Sequence, residues 1–180
     1  SRFKKRFIFK EDPTENLLTI DVNILDNSNM QPVEYPEIDI NDIETYTVDE
    51  KLSREENNNA MFRSHDTDHT KRLQQTLQSA NNNVVELCNM PECTDYIKYK
   101  AKTYLQSFKK KYTQAYINTL THKVNNPSWM ITGRGNLNVS KYNKKQDQLT
   151  NKMKYQCQLI DDFNKKIQQY KNKIEFIQDK

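Results

Sequence analysis

The chain has 180 residues, of which 34% are hydrophobic and 29% charged, with a mean hydropathy of -1.04 and a formal net charge of +4. So polar a chain buries a thin core, such as the seam of a helical hairpin, and lacks the apolar volume to enclose a deep catalytic pocket. It contains no run of about 18 apolar residues, which excludes an expected membrane span, and its three cysteines, an odd number, argue against a disulfide framework and for a reducing, cytosolic setting.

The first ten residues are basic, with Phe3, Phe7 and Phe9 among them, but lack the apolar stretch of a signal peptide. A turn cluster, Asp12-Pro13-Thr14-Glu15-Asn16, follows. Leu18, Ile20, Val22 and Ile24 then alternate with Thr19, Asp21 and Asn23, the period of a half-buried strand. The pattern predicts a β-hairpin over roughly residues 3–25, which needs a partner to pack on. Residues 26–50 read as an acidic extended segment, in which Ile38, Ile40, Tyr46 and Val48 permit one more short strand. Residues 53–68 read as loop or frayed helix.

Leu73, Leu77, Ala80, Val84 and Leu87 line one face of a helix near 68–88, ended by Asn89-Met90-Pro91. Thr94 is a good N-cap, with Asp95 in the first turn. Ile97, Ala101, Tyr104, Leu105, Phe108, Tyr112, Ala115 and Leu120 continue at spacings of three and four, giving a long amphipathic helix over 94–124. Asn125-Asn126-Pro127 breaks it. Ser140 is placed to cap a second long helix, 140–178. In it Met153, Ile160, Ile167 and Ile174 recur every seven residues beside Phe163, Tyr170 and Ile177, with Gln156 as the polar exception. Two long helices joined by about fifteen residues suggest an antiparallel hairpin with arms of roughly 45 Å. The expected fold class is α+β, mainly helical: a long antiparallel helical hairpin with a small N-terminal β-hairpin or acidic extended segment. The expected division is 1–60, the β and acidic segment, and 61–180, the helical domain.

Charge is separated along the chain. Residues 11–50 hold twelve Asp or Glu and no Lys or Arg, whereas residues 96–160 hold thirteen Lys or Arg against Asp147 alone. Blocks of this size set long-range fields and select partners.

Four candidate sites follow. The first is the loop Trp129, Thr132, Gly133, Arg134, Gly135 and Asn136. It carries both glycines of the chain and the single tryptophan. Glycine permits positive φ and close backbone approach. An arginine between two glycines can present its planar fork to a phosphate or a guanine edge. The bland alternative is a plain connection with Trp129 anchoring the hairpin tip. The second is a basic face of Lys98, Lys102, Lys109, Lys110, Lys111, Lys123, Lys141, Lys144, Lys145, Lys152 and Lys154. Tyrosines 96, 99, 104, 112, 116 and 142 interleave with it, as on a nucleic-acid surface; the alternative is a solvated helix face. The third is the acidic segment, Glu34, Glu37, Asp39, Asp42 and Glu44. It reads either as a mimic of a nucleic-acid backbone or as an internal counterweight packed on the basic hairpin. The fourth is His65 and His69 with Cys88 and Cys93, whose spacing is a poor match to a zinc site, so His69 is expected to be exposed or capping and no metal is expected. No nucleophile has a recognisable local context and no glycine loop for a nucleotide phosphate is present, so neither an enzyme nor a cofactor is expected.

Ile131-Thr132-Gly133-Arg134-Gly135-Asn136, with Asn138, Tyr142 and Lys144-Lys145 after it, resembles a helix-loop-helix segment of bacteriophage and mobile-element proteins. The resemblance covers residues 94–155. The length, the Asn/Lys-rich composition and the lack of catalytic residues resemble small anti-CRISPR inhibitors of the type II RNA-guided nuclease. The resemblance implies a phage-encoded inhibitor in the cytoplasm of a bacterial host, binding the guide-loaded nuclease and blocking target DNA binding or cleavage. The alternative expectation is a phage accessory protein that binds nucleic acid directly through its basic hairpin. A third is a coiled-coil assembly protein using the heptad seam between chains; the expected state is thus a monomer or a coiled-coil dimer.

Overall fold

A computed structural model describes residues 8–11, 18–21, 34–60, 66–128, 130, 133, 135 and 138–178. The chain divides into two compact units, Ser1–Glu34 and Tyr35–Lys180, so residues 35–60 belong with the helices. In the first unit the backbone of β1 (Ile8–Glu11) pairs antiparallel with β2 (Leu18–Asp21), placing Phe9 opposite Ile20 and Lys10 opposite Thr19.

Among the described residues of the second unit the long helical elements are α1 (Glu50–Asn58), α2 (His69–Cys88), α3 (Asp95–Asn125) and α4 (Val139–Gln178). Each start is set by a side chain that accepts an otherwise orphaned backbone N–H. Asp49 accepts from Leu52, Asp68 from Lys71 and Thr94 from Ile97. For α4 the cap is Asn138, whose Oδ1 accepts from Lys141 N at 2.9 Å while its carbonyl accepts from Tyr142 N. Ser140, expected to cap this helix, instead lies inside its first turn. Residues 53–58, in the stretch 53–68 expected to be loop or frayed helix, belong to α1, which Asp49 caps and in which Glu50 pairs with Arg54 one turn on.

α3 and α4 form the antiparallel hairpin. Phe163 meets Phe108 and Tyr104, Gln156 meets Ala115 and Thr119, and Lys145 meets His122, so contacts run in opposite directions along the two helices. α2 packs on both, with Leu73, Leu77, Ala80, Val84 and Leu87 buried against Ile97, Ala101, Leu105 and Phe108 of α3 and against Phe163, Ile167 and Ile174 of α4.

The seam of α4 therefore has two behaviours. Phe163, Ile167 and Ile174 are fully enclosed and Ile160 and Tyr170 are half-buried, but Met153, at the same heptad position, is exposed. Ile177 lies outside the described side chains. Gln156 marks the change: its amide donates to the Ala115 carbonyl and the Thr119 hydroxyl of α3. From 139 to 155 no residue of α4 is buried. This half of α4 lies along residues 111–125 of α3, and together they form the arm; the other side of that α3 stretch packs on α1 and the start of α2 through Tyr116, Lys123 and Val124.

Residues 35–49 cross the helices as an extended strap with a 3-10 helix at Asp42–Thr45. No strand forms at Ile38, Ile40, Tyr46 or Val48. The reason is where the backbone polar groups go. Gln106 of α3 donates to the Asp39 carbonyl, Gln74 of α2 to the Tyr46 carbonyl, and Val48 N donates to Thr70 Oγ1. Side chains of α2 and α3 thus take the place of a neighbouring strand, while Ile40, Ile43 and Val48 enter the core.

Candidate functional site

The sequence assigns one continuous basic face to the hairpin; the structure divides it in three. At the near end of α3, Lys98 pairs with Asp95, and Lys102 borders a hollow shared with Glu37 and Asp39. In the middle, Lys109 is buried completely. Its ammonium donates to the Ile40 carbonyl and to Asp42 Oδ1, both at 2.6 Å. It is part of the core and not of any surface, because the strap supplies the two oxygens that a desolvated ammonium requires. At the far end, Lys111, Lys141, Lys144, Lys145, Lys152 and Lys154 lie on the arm, and none of them pairs with a carboxylate of another described residue. Lys123 is the exception on this arm, 3.4 Å from Glu56. Lys110 is exposed on α3 just before the arm.

The aromatic residues divide in the same way. Tyr112 and Tyr116 are buried and Tyr104 lies parallel to Phe163 at 5.8 Å, so these three are core rings. Tyr96 and Tyr99 are both in contact with Tyr35 of the strap. Burial pushes the Tyr104 and Tyr46 hydroxyls above their ordinary pKa, with Asp162 and Asp42 respectively adding to the effect. The ring that the sequence reading missed is Tyr155. It is 49% exposed on α4, and the available signal was its place one residue before Gln156, off the heptad seam and inside the stretch almost without acids.

Tyr155 lies at a groove between the arm's helices. Lys111, Gln114, Ala115 and Asn118 of α3 form one wall, and Asn151, Lys152 and Tyr155 of α4 the other, around about 460 Å³. The groove follows from the sequence locally. Helix axes in contact sit about 8–10 Å apart depending on the side chains between them, and here the α3 residue at the base is an alanine while long polar residues flank it. Two lysines, three amides and one aromatic ring line it, with no carboxylate. Such a surface offers positive charge, donors and acceptors, and a flat face for stacking.

Of the glycine loop, Gly133 and Gly135 are described and exposed, and Gly133 has φ +83°, a left-handed conformation that only glycine adopts without strain. Trp129, Thr132, Arg134 and Asn136 lie outside the described residues. In the acidic segment Glu34, Glu37, Asp39 and Glu44 are exposed, whereas Asp42 is turned inward to Lys109 and also accepts from the Tyr46 hydroxyl. Within the strap Asp42 neutralises the hairpin internally, while Glu37, Asp39 and Glu44 face solvent.

His69 is buried, not exposed. Its Nε2 lies 2.8 Å from Glu56 Oε2 and its Nδ1 3.0 Å from the Tyr116 hydroxyl, while Lys123 approaches the other Glu56 oxygen. This enclosed cluster joins α1 to α2 and α3. His65 lies outside the described residues. Among the described residues no group of three or more His, Cys, Asp or Glu side chains is arranged to hold a metal ion. Burial raises the pKa of Cys88 and Cys93, whereas Cys157 is exposed on α4. Also among the described residues, no helix is long and apolar enough to cross a membrane.

Comparison with protein-family models, with curated proteins and with solved structures found no match.

Proposed function

We propose that this protein is a non-enzymatic binding module that grips the backbone of a nucleic acid with the arm of its helical hairpin. The observation that carries the reading is the carboxylate-free groove between α3 and α4, with Lys111 and Lys152 on opposite walls and Lys141, Lys144, Lys145 and Lys154 further along the arm. Lysines paired within the fold, as Lys109 and Lys123 are, contribute little to an external field. Unpaired ones attract a polyanion and release its counterions on binding. Gly133 and Arg134 stand in the connection at the arm's end of the sequence, where an arginine adds a bidentate phosphate contact.

The test is a titration of the full chain with a labelled oligonucleotide at several salt concentrations. Binding with a log–log salt slope of about -3 to -5, as expected for four to six phosphate contacts, supports the reading. Absence of binding at ~50 mM salt, where such contacts are strong, sinks it.

A second reading is favoured by the exposed carboxylates Glu34, Glu37, Asp39 and Glu44. In it the protein is an anti-CRISPR inhibitor acting in the cytoplasm of a bacterial host, its acidic segment occupying the positively charged channel of a guide-loaded type II nuclease. Reversal of Glu37, Asp39 and Glu44 to lysine should then abolish capture by the purified nuclease, and failure of the unaltered protein to bind the nuclease with or without guide removes this reading.

A further inference from the structure

Resting on the nucleic-acid reading above, we infer that the α3–α4 groove is a site for single-stranded nucleic acid, with one unpaired base stacked on Tyr155. Three features of the groove converge on that ligand.

The first is the ring. Tyr155 of α4 is half exposed at a recess, whereas Tyr99 and Tyr104 of α3 stack on rings within the protein. An aromatic face open to solvent inside a cationic recess suits the face of a base. A duplex keeps its base faces stacked on one another and offers only phosphates and groove edges, neither of which uses an aromatic ring in a cleft.

The second is the arrangement of charge. Lys111 and Lys152 come from different helices and stand on opposite walls. A strand running through the groove passes between two cations, so its backbone is held while its bases turn toward Tyr155. The third is the amide lining. Gln114 donates to Asn118 Oδ1 at 3.0 Å, which uses one side of each amide and leaves the Gln114 carbonyl and the Asn118 amino group for a ligand. Asn151 adds another donor and acceptor from the opposite wall. Amides of both polarities accommodate the edges of any base, so the site is expected to be tolerant of sequence. The volume, about 460 Å³, falls within the range of small-ligand sites, about 300–1,000 Å³.

The experiment compares fluorescently labelled dT and rU strands with a blunt-ended two-strand DNA duplex of equal phosphate number, binding to the full chain at one salt concentration. Both single strands should bind about tenfold or more tighter than the duplex, since only they offer a free base face. Tyr155→Leu keeps the helix and removes the ring. It should weaken single-strand binding by about 5- to 100-fold, the range for one lost stack, and leave duplex binding unchanged, while Tyr155→Trp should restore it. Lys111→Gln and Lys152→Gln should each lower the single-strand salt slope by about 0.7. Equal affinity for strand and duplex, together with a silent Tyr155→Leu, overturns this inference and leaves general nucleic-acid binding standing. No binding of any of the three probes overturns both.

Discussion

The two halves of α4 contrast sharply although one helix carries both. From Gln156 onward its inward residues, Phe163, Ile167 and Ile174, are enclosed by α2 and α3. Before Gln156 it has no buried residue, and its hydrogen bonds to other helices, among the described residues, go to α3. The C-terminal half is held by burial on two sides. The N-terminal half is held by a single seam and by the cap at Asn138. The packed end of the helix carries stability and the other end carries the proposed binding, so a change at either end should leave the other property nearly intact.

The largest effect expected is at the packed end. Phe163 lies 4.5 Å from the Phe108 ring and contacts Tyr104; Phe163→Ala should cost about 3–5 kcal/mol, read by chemical denaturation. Met153→Ala, at the heptad position of Ile167 and Ile174 but on the exposed half, should cost no more than about 0.5 kcal/mol. Comparable losses at the two positions would break the contrast.

Next is the buried cation. Asp42→Ala removes one of two oxygens from the Lys109 ammonium, and breaking such a pair costs about 3 kcal/mol when the remaining charge stays dry. The carboxylate is 32% exposed, so water will recover part of that cost. Lys109→Met removes the charge itself and leaves Asp42 free to hydrate, for a smaller loss of about 1–2 kcal/mol from the unpaired Ile40 carbonyl. If Asp42→Ala proves the milder of the two, the pair is not the element that fastens the strap.

At the arm the expected order reverses. Lys144→Gln with Lys145→Gln and Lys154→Gln should change stability by less than about 0.5 kcal/mol, measured by thermal melting. The same three changes should lower the oligonucleotide salt slope by about 2–3. A large loss of stability would show that the arm is part of the core after all.

The smallest effects involve titration. Burial holds the Tyr104 and Tyr170 hydroxyls above their usual pKa, so their neutral forms are favoured in the folded state. That stability is complete below the unfolded-state value, near pH 10. It is lost as the pH rises above that value, because the unfolded chain ionises first. Tyr104→Phe should therefore flatten the fall in stability measured above pH 10. Likewise Cys157, exposed on the arm side of Phe163, should alkylate before Cys88 and Cys93, whose pKa values are raised by burial. Mass spectrometry of a time course would detect any inversion of that order.

Much of this architecture was legible in the residues themselves. Thr94 and Asp95 announce the start of α3, Leu73 to Leu87 the inward face of α2, and the seven-residue spacing of Ile160, Ile167 and Ile174 the seam of α4. The candidate site was less so. Lys109 and Lys111 are two positions apart in a run of three lysines, and nothing local tells them apart. One is enclosed by the strap and the other lines the groove, because two residues along a helix is a rotation of about 200°. Tyr155 had a weak signal, its place off the heptad seam, but an exposed ring gains meaning only when the wall opposite is known.

The sequence by itself determined α2, α3 and α4, the Thr94 cap, the division of charge and the hairpin, since each rests on spacing within one segment. Only the tertiary structure decided which lysines remain free to act and that α4 changes from core to arm at Gln156. Those outcomes depend on what packs across from a side chain, on the Ile40 carbonyl and Asp42 reaching over α3, and on α2 covering one half of α4 and not the other.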